Sequence, residues 1–210
     1  TCSIPSYRND LLIAEDLIEE VIRLVGYDVL EETLPNLDLT SGSLDHRQAL
    51  IQSIEKTLLG VGGYQTLSYT LVEEAYTKGA EALDDPIKLM SPMSDKRAYL
   101  RTQLLYSLLE VASYNNARRV ENGLYFEISK VYAKHETTEK LIMLGQGKLH
   151  NDNWLKENVN LDFYALKGIF MNLVEGLGFN ARRFEFVADD FDDSVFHPYK
   201  SASILFDRKR

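Results

Sequence analysis

The chain has 210 residues, a formal net charge of −9 and a hydrophobic fraction of 45%, which is enough apolar material for a sizeable core. This acidity disfavours broad binding to the phosphate backbone of a nucleic acid, and no apolar run reaches the roughly 18 residues of a membrane span. The single cysteine, Cys2, excludes an internal disulfide and agrees with a reducing compartment, so we expect a cytoplasmic protein.

The first predicted element is an amphipathic helix over residues 16–25. Its apolar side is formed by Leu17, Ile18, Val21, Ile22, Leu24 and Val25. Gly26 is a plausible stop, because glycine readily adopts the conformation that ends many helices. Residues 28–43 contain Pro35 and a Ser-Gly-Ser string, so they predict an irregular segment and the best boundary in the chain.

Four acidic residues precede or open this helix, namely Asp10, Asp16, Glu19 and Glu20. The last three are spaced i, i+3 and i+4, so their side chains leave neighbouring points of one helical turn, and Asp10 could fold back onto it. Converging carboxylates suit Mg²⁺, which prefers oxygen ligands. A structural role is the alternative, since acids near a helix N-terminus interact well with the helix dipole and Glu19 can pair with Arg23. Spacing alone favours the structural role.

The rest of the chain mixes helices and strands. Helical periodicity predicts helices at residues 45–59, 73–79, 103–117 and 161–177. β-prone runs predict strands at residues 64–72, 87–90, 123–131, 141–149, 184–187 and 201–206. Asp45 is a possible N-cap of the first of these helices. Because there is no regular βα rhythm, the pattern favours an α+β fold with an antiparallel sheet over a Rossmann-type sheet.

Several strings carry a resemblance to a known family. The strings at the start are Pro5-Ser6-Tyr7-Arg8-Asn9-Asp10, Asp16-Leu17-Ile18-Glu19-Glu20, Arg23 and Gly26-Tyr27. They resemble the end of the B5 module in the beta subunit of bacterial phenylalanine–tRNA ligase. Further strings resemble the catalytic-like B6–B7 region of that subunit and lie at residues 62–70, 87–94, 100–109, 124–131, 162–168 and 197–202. In the second of these, Ser91 replaces the usual Asn.

The resemblance implies a domain organisation and a function. Residues 1–34 would be the C-terminal part of B5, residues 35–44 a linker, and residues 45–210 a class II synthetase-like core, an antiparallel sheet flanked by helices and truncated at its C-terminus. The family enzyme attaches phenylalanine to tRNA(Phe) and uses ATP and Mg²⁺. It is an (αβ)₂ heterotetramer, and no membrane partner is expected. ATP binding and chemistry belong to the alpha subunit, so no catalytic or cofactor-binding residue is expected in this chain.

The resemblance also assigns roles to individual residues. In the family, the positions of Asp10, Asp16, Glu19 and Glu20 form a Mg²⁺ site that is shared with the alpha chain. Ala133 falls where the alpha chain carries an Arg that contacts the α-phosphate of ATP, and a methyl group cannot replace that cation. The implied role is therefore a non-catalytic scaffold for the alpha chain, and the chain by itself is expected to be inactive.

Four predictions remain open. The apolar face of the helix at 45–59 either builds an interface with the alpha chain, as the family implies, or packs on its own sheet. Glu127 lies on an apolar strand and is expected to be a structural carboxylate bonded to the backbone or to Arg101. The alternative functions are a stand-alone regulatory or binding paralogue of a class II core and a ligase active in its own right. Self-association through an exposed apolar face is also expected.

Overall fold

The computed structural model describes residues 2–38, 40–79, 81–149, 154, 159–188, 196–197 and 199–209. The chain divides into two compact units, Thr1–Ser43 and Leu44–Arg210, and the division falls inside the segment that was predicted to be a linker. Pro198 of the string at 197–202 lies outside the described residues. No helix in the described ranges has both the length and the apolar character that crossing a membrane requires.

The helices and strands of the described residues have the following bounds. The α-helices are α1 (Ala14–Val25), α2 (His46–Gly60), α3 (Leu105–Asn116) and α4 (Phe163–Gly176). The strands are β1 (Gly63–Gln65), β2 (Leu71–Val72), β3 (Tyr99–Leu100), β4 (Gly123–Tyr132), β5 (Thr137–Gln146), β6 (Phe184–Ala188) and β7 (Ala202–Phe206). The four predicted α-helices longer than seven residues are confirmed, with ends that shift by at most two residues.

Local capping explains where these helices begin. The carboxylate of Asp45 accepts a hydrogen bond from the N–H of Gln48 at 2.7 Å, and the Gln48 side chain accepts one from the N–H of Asp45 at 2.9 Å. This reciprocal pair satisfies two N–H groups that a helix start leaves without partners, and it confirms the predicted N-cap. Asp162 likewise caps α4 by accepting from the N–H of Ala165 at 2.9 Å.

The largest sheet has the strand order β1–β4–β5. β4 and β5 form an antiparallel hairpin of ten residues each, whereas β1 runs parallel to β4. The prediction of an antiparallel sheet is therefore wrong for β1. The reason is the path of the chain, which passes through β2, β3 and α3 after β1 and re-enters the sheet at the end where β1 starts.

Three other predicted elements differ from the structure. The predicted helix at 73–79 is only a 3₁₀ turn, Glu74–Thr77, and two predicted strands also differ. The predicted strand at 64–72 is interrupted, because the chain leaves β4 after the N–H of Thr66 donates to the carbonyl of Phe126 at 2.8 Å. The predicted strand at 87–90 contributes only an isolated bridge between Lys88 and Tyr99. Both strand segments are rich in β-prone residues, but each has a neighbouring strand to pair with along only part of its length.

Helices cover both faces of the β4–β5 hairpin. On one face Leu124 and Phe126, both fully buried, pack with Leu58 of α2 and Leu173 of α4. On the other face Tyr125 packs with residues of α3. This alternation follows from the two-residue period of a strand, which sends successive side chains to opposite faces. The hairpin is therefore a buried central element of this unit.

The strands β6 and β7 form a separate antiparallel pair in the second unit. The phenylalanine rings of β6 and β7 pack against those of α4 and of the segment that follows it, in edge-to-face or tilted geometry. The cluster consists of Phe170, Phe179, Phe184, Phe186 and Phe206. Aromatic clusters of this kind bury a large area per residue, so they hold a short two-stranded ribbon that would be unstable alone.

Candidate functional site

The acidic cluster of the first unit is organised by Arg8. The guanidinium group donates from Nε to Oδ1 of Asp10 at 3.0 Å and from Nη2 to Oδ2 at 2.7 Å. The same Nη2 donates to Oε1 of Glu20 at 2.6 Å, and the other oxygen of Glu20 accepts from Nη2 of Arg23 at 2.7 Å. Arg8 therefore links the segment before α1 to the helix itself.

These contacts shift the protonation equilibria of the cluster. Hydrogen bonding from Arg8 is the main reason why the pKa of Asp10 lies below its ordinary value of 3.8. The pKa of Glu20 is lowered from 4.5, first by Arg23 and then by Arg8. In return, Asp10 and then Glu20 raise the pKa of Arg8. Both carboxylates are therefore ionised at neutral pH, and each already has a cationic partner.

The two remaining acids have different surroundings. Oδ2 of Asp16 accepts hydrogen bonds from the N–H groups of Leu12 at 2.7 Å and Ile13 at 2.9 Å, so this carboxylate holds the start of α1. Glu19 is exposed and makes no ion pair with the described side chains. The predicted pairing of Glu19 with Arg23 is not formed, because Arg23 binds Glu20 instead.

The four acids have the right chemistry for Mg²⁺ but are not arranged to hold it. No group of three or more His, Cys, Asp or Glu side chains in the described part of the chain is placed so that it could bind a metal ion. Asp10 and Glu20 face guanidinium groups, and Asp16 faces backbone amides. A divalent cation between Asp10 and Glu20 would have to displace Arg8, so in this arrangement the four carboxylates do not form an ion site by themselves.

A buried polar network lies in the second unit, between β3, β4 and the segment after β1. Arg101 and Glu127 have side chains that are 4% and 1% exposed, and Nη1 of Arg101 donates to Oε1 of Glu127 at 2.8 Å. Ser68 donates to the second carboxylate oxygen at 2.6 Å, and Nε of Arg101 donates to the carbonyl of Lys130 at 3.0 Å. Glu127 is thus a fully partnered structural carboxylate, as predicted.

The hairpin between β4 and β5 occupies the place where the resemblance puts a phosphate-binding Arg. Ala133 is 7% exposed, and its N–H donates to the carbonyl of Glu136 at 2.8 Å, which closes a short turn. Lys134 turns outward and pairs with Asp85 at 2.8 Å. The buried methyl group of Ala133 offers no hydrogen bond or charge to a phosphate.

The apolar face of α2 is used in part within its own unit. Leu58 is fully buried and, with Ile54, packs on the cluster that contains Phe126. Leu50 is 40% exposed and Leu59 is 51% exposed on the same helix. The packing alternative is therefore confirmed for the C-terminal half of the helix. The interface alternative stays a prediction and now applies chiefly to the region of Leu50.

The sequence analysis does not predict the roles of two residues in these networks, Arg8 and Ser68. Arg8 stands two residues before Asp10, and this spacing is the signal that permits a bidentate contact. Ser68 lies 59 positions before Glu127 in the chain. No local pattern in the sequence could have found that contact.

Two family models match the chain. The model "Phenylalanyl tRNA synthetase beta chain CLM domain" matches residues 30–210, and the model "tRNA synthetase B5 domain" matches residues 1–27. Among curated relatives, a phenylalanine–tRNA ligase beta subunit of Geobacillus kaustophilus is 39% identical over 100% of this chain. A beta subunit of Staphylococcus epidermidis is 35% identical, also over 100% of this chain. The chain spans 26% of the length of each relative.

Solved structures with a similar fold are class II tRNA synthetases. A pyrrolysyl tRNA synthetase of Desulfitobacterium hafniense has a TM-score of 0.53 and 15% sequence identity, and the match covers 77% of this chain and 53% of that one. A histidine–tRNA ligase subunit of Alicyclobacillus acidocaldarius has a TM-score of 0.51 and 13% identity, with 76% and 46% covered. At these identities the likeness concerns the fold alone, and it agrees with a mixed α and β core.

Proposed function

Because this chain belongs to the phenylalanyl tRNA synthetase beta chain family, we propose that it is a non-catalytic scaffold within a phenylalanine–tRNA ligase. In this proposal an alpha subunit attaches phenylalanine to tRNA(Phe) at the expense of ATP, and the present chain supports the assembly. The observation that carries the non-catalytic role is the buried Ala133 at the end of β4. A catalytic class II site needs a cation there to stabilise the charge that develops on the phosphate.

The interior of the second unit supports a structural role. Arg101 is a cation close to the same strand, but its guanidinium group is 4% exposed and is bound to Glu127, Ser68 and a carbonyl group. It is therefore not available to a nucleotide. A rigid, fully partnered core suits a domain whose task is to present a fixed surface to a partner.

The proposed partner is the alpha subunit, in an (αβ)₂ heterotetramer that binds tRNA(Phe) in the cytoplasm. The surface that we assign to it includes the outward side of α2 around Leu50, which is 40% exposed. Without the alpha chain, this apolar surface is also a route to self-association of the isolated chain.

The Mg²⁺ site belongs to the same proposal. Asp10, Asp16, Glu19 and Glu20 would hold the ion together with residues of the alpha chain, and the ion would link the two chains. Glu19 supports this idea, because it is the acid of the four that is exposed and makes no ion pair with the described side chains. The Arg8 contacts argue that the ion cannot enter until the cluster rearranges.

The alternative of a stand-alone regulatory paralogue is less well supported. Both family models describe domains of tRNA synthetases, and together they span nearly all of the chain in the order B5 domain and then CLM domain. A ligase active by itself is disfavoured by Ala133. Phenylalanine-dependent exchange of pyrophosphate into ATP by the chain alone would establish that activity, and we expect none.

Light-scattering mass after gel filtration tests the scaffold proposal. The chain is measured alone and mixed with a phenylalanine–tRNA ligase alpha subunit in the presence of Mg²⁺. We expect a heavier mixed species that is weakened by Leu50→Glu on α2. Leu109→Glu is the matched control, since Leu109 is a leucine of similar exposure, 38%, on a different helix. A mixture that contains only the separate chains would refute the proposed interface.

A second pair of variants tests the shared ion. Glu19→Gln should weaken the mixed species, whereas Glu15→Gln, which removes an exposed charge from the same helix, should not. If both variants weaken the complex equally, the effect comes from the overall charge of α1 and not from a bound ion.

A further inference from the structure

Two of the four methionines of the chain lie on one loop of the second unit and are fully exposed. The relative exposure of Met90 is 101% and that of Met93 is 104%, and Pro92 stands between them. Methionine is an apolar side chain that usually fills gaps in a core, so packing does not explain this placement. The loop therefore presents two thioether groups directly to solvent.

The loop that carries these methionines is held by hydrogen bonds on both of its sides. The N–H of Leu89 donates to the carbonyl of Ala98 at 2.8 Å, and the N–H of Arg97 donates to the carbonyl of Ser94 at 3.0 Å. Nη1 of Arg97 also donates to the carbonyl of Leu71 in β2 at 3.1 Å. These contacts attach the loop to the strand pair β2–β3, so the exposure of both thioethers is built into the fold.

The other two methionines have different surroundings. Met143 on β5 packs against the core cluster that contains Phe126, and Met171 on α4 is half-buried. Oxidation to methionine sulfoxide converts a flexible apolar side chain into a polar one and disrupts a core. At Met143 the polar group would enter the core, whereas at the exposed loop it would meet water. The fold therefore tolerates sulfoxides on the loop but not on β5.

We propose that Met90 and Met93 form a site of reversible oxidation by hydroperoxides, at a position where the modification leaves the fold intact. The thioether sulfur attacks the terminal oxygen of the hydroperoxide, so an S–O bond forms and the O–O bond breaks. The proton of the attacked oxygen passes to the departing oxygen, which leaves as water or as an alcohol. The sulfur loses an electron pair, and the hydroperoxide gains it.

The reverse step needs a methionine sulfoxide reductase with a dithiol as reductant. The dithiol supplies the electron pair and the protons, becomes a disulfide, and the oxygen leaves as water. Both steps take place on the loop of the second unit. They need neither the alpha subunit nor the acidic cluster, so the site goes beyond the scaffold function.

The test is a time course of the 210-residue chain in hydrogen peroxide, followed by peptide mapping in a mass spectrometer. Cys2→Ser is the parent protein, because Cys2 is an exposed free thiol that would also react. We expect Met90 and Met93 each to gain the mass of one oxygen atom about tenfold faster than Met143 and Met171, because exposure controls the rate. A rate on the loop no higher than that of the two half-buried methionines would overturn the proposal.

The melting temperature gives a second readout. When only Met90 and Met93 are oxidised, we expect a shift of less than about 2 °C, the size typical of a change at an exposed position. The two methionine sulfoxide reductases, each specific for one epimer, should then remove the added oxygen in the presence of a dithiol. A larger loss of melting temperature at this stage, or sulfoxides that the reductases leave in place, would also overturn it.

Matched variants identify the reactive side chains. Met90→Leu combined with Met93→Leu should remove the fast phase of oxygen uptake, whereas Met171→Leu should leave that phase unchanged. Leucine and methionine have similar volumes, so both variants should fold. A fast phase that persists in the double variant would place the reactive sulfur elsewhere and refute the assignment.

Discussion

The buried pair of Arg101 and Glu127 leads to the sharpest prediction about stability. We expect Glu127→Gln to destabilise the second unit strongly, although the replacement has nearly the same shape. The amide keeps a hydrogen-bonding group near Ser68 but removes the negative charge. Arg101 then remains 4% exposed with a positive charge that only neutral groups face, namely the new amide, a hydroxyl group and a carbonyl group.

The magnitude follows from this environment. Removing one partner of a buried ion pair costs about 3–5 kcal/mol, because the other charge is left without compensation. For a unit of this size, 1 kcal/mol lowers the melting temperature by about 2–4 °C, so the loss should be about 6–20 °C. Replacing both partners by apolar residues, as in Arg101→Met with Glu127→Leu, should cost much less than the sum of the single changes.

Thermal and urea unfolding, followed by circular dichroism, measure these changes. The four proteins of the cycle are the unaltered chain, Arg101→Met, Glu127→Leu and the double variant, with Glu127→Gln measured beside them. A loss below about 1 kcal/mol for Glu127→Gln would refute the reasoning, since that is the range of exposed pairs. A double variant as unstable as the sum of the two single variants would refute it as well, because the charges would then be independent.

Other predictions concern individual contacts. Leu58→Ala should lower the free energy of unfolding by about 2–5 kcal/mol in urea, because a fully buried side chain leaves a cavity. Asp45→Ala should cost about 0.5–2 kcal/mol by the same assay, since α2 loses its N-cap. The pKa values of Asp10 and Glu20 are lowered by folding, so their contribution to stability is present above their ordinary pKa values and is lost as pH falls through the lowered ones. Arg8→Gln should therefore raise the pKa of both groups towards ordinary values in an NMR titration. The same variant should bind Mg²⁺ more tightly by calorimetry, because it removes the competing cation.

Matched variants separate these effects from general disturbance. Leu59→Ala changes the 51% exposed neighbour of Leu58 and should be nearly neutral. Asp45→Asn keeps a capping side chain and should cost less than Asp45→Ala. Arg47→Gln breaks an ion pair with Glu139 in the second unit and should leave Mg²⁺ binding unchanged. If Arg8→Gln and Arg47→Gln have the same effect on Mg²⁺ binding, Arg8 does not compete with the ion for the carboxylates.

Much of the local structure could be predicted from the sequence. The apolar stripes of the helices, the cap of α2 and the glycine that ends α1 all depend on neighbouring residues, as the Asp45–Gln48 pair illustrates. The partner of Glu127 was also predicted, because an acidic residue on an apolar strand needs a cation and Arg101 was a candidate. Family membership could be recognised because ordered strings occur along the whole chain.

The sequence alone thus determined the helices, the caps and the family, because each depends on residues that are near one another in the chain. Only the tertiary structure decided the parallel pairing of β1 with β4, which side chains of α2 are buried, and the binding of Asp10 and Glu20 by Arg8. These features arise from groups that folding brings together across long stretches of chain. Electrostatic attraction and burial depend on distance in space and not on distance along the chain. Local sequence patterns therefore cannot predict which of these groups will be in contact.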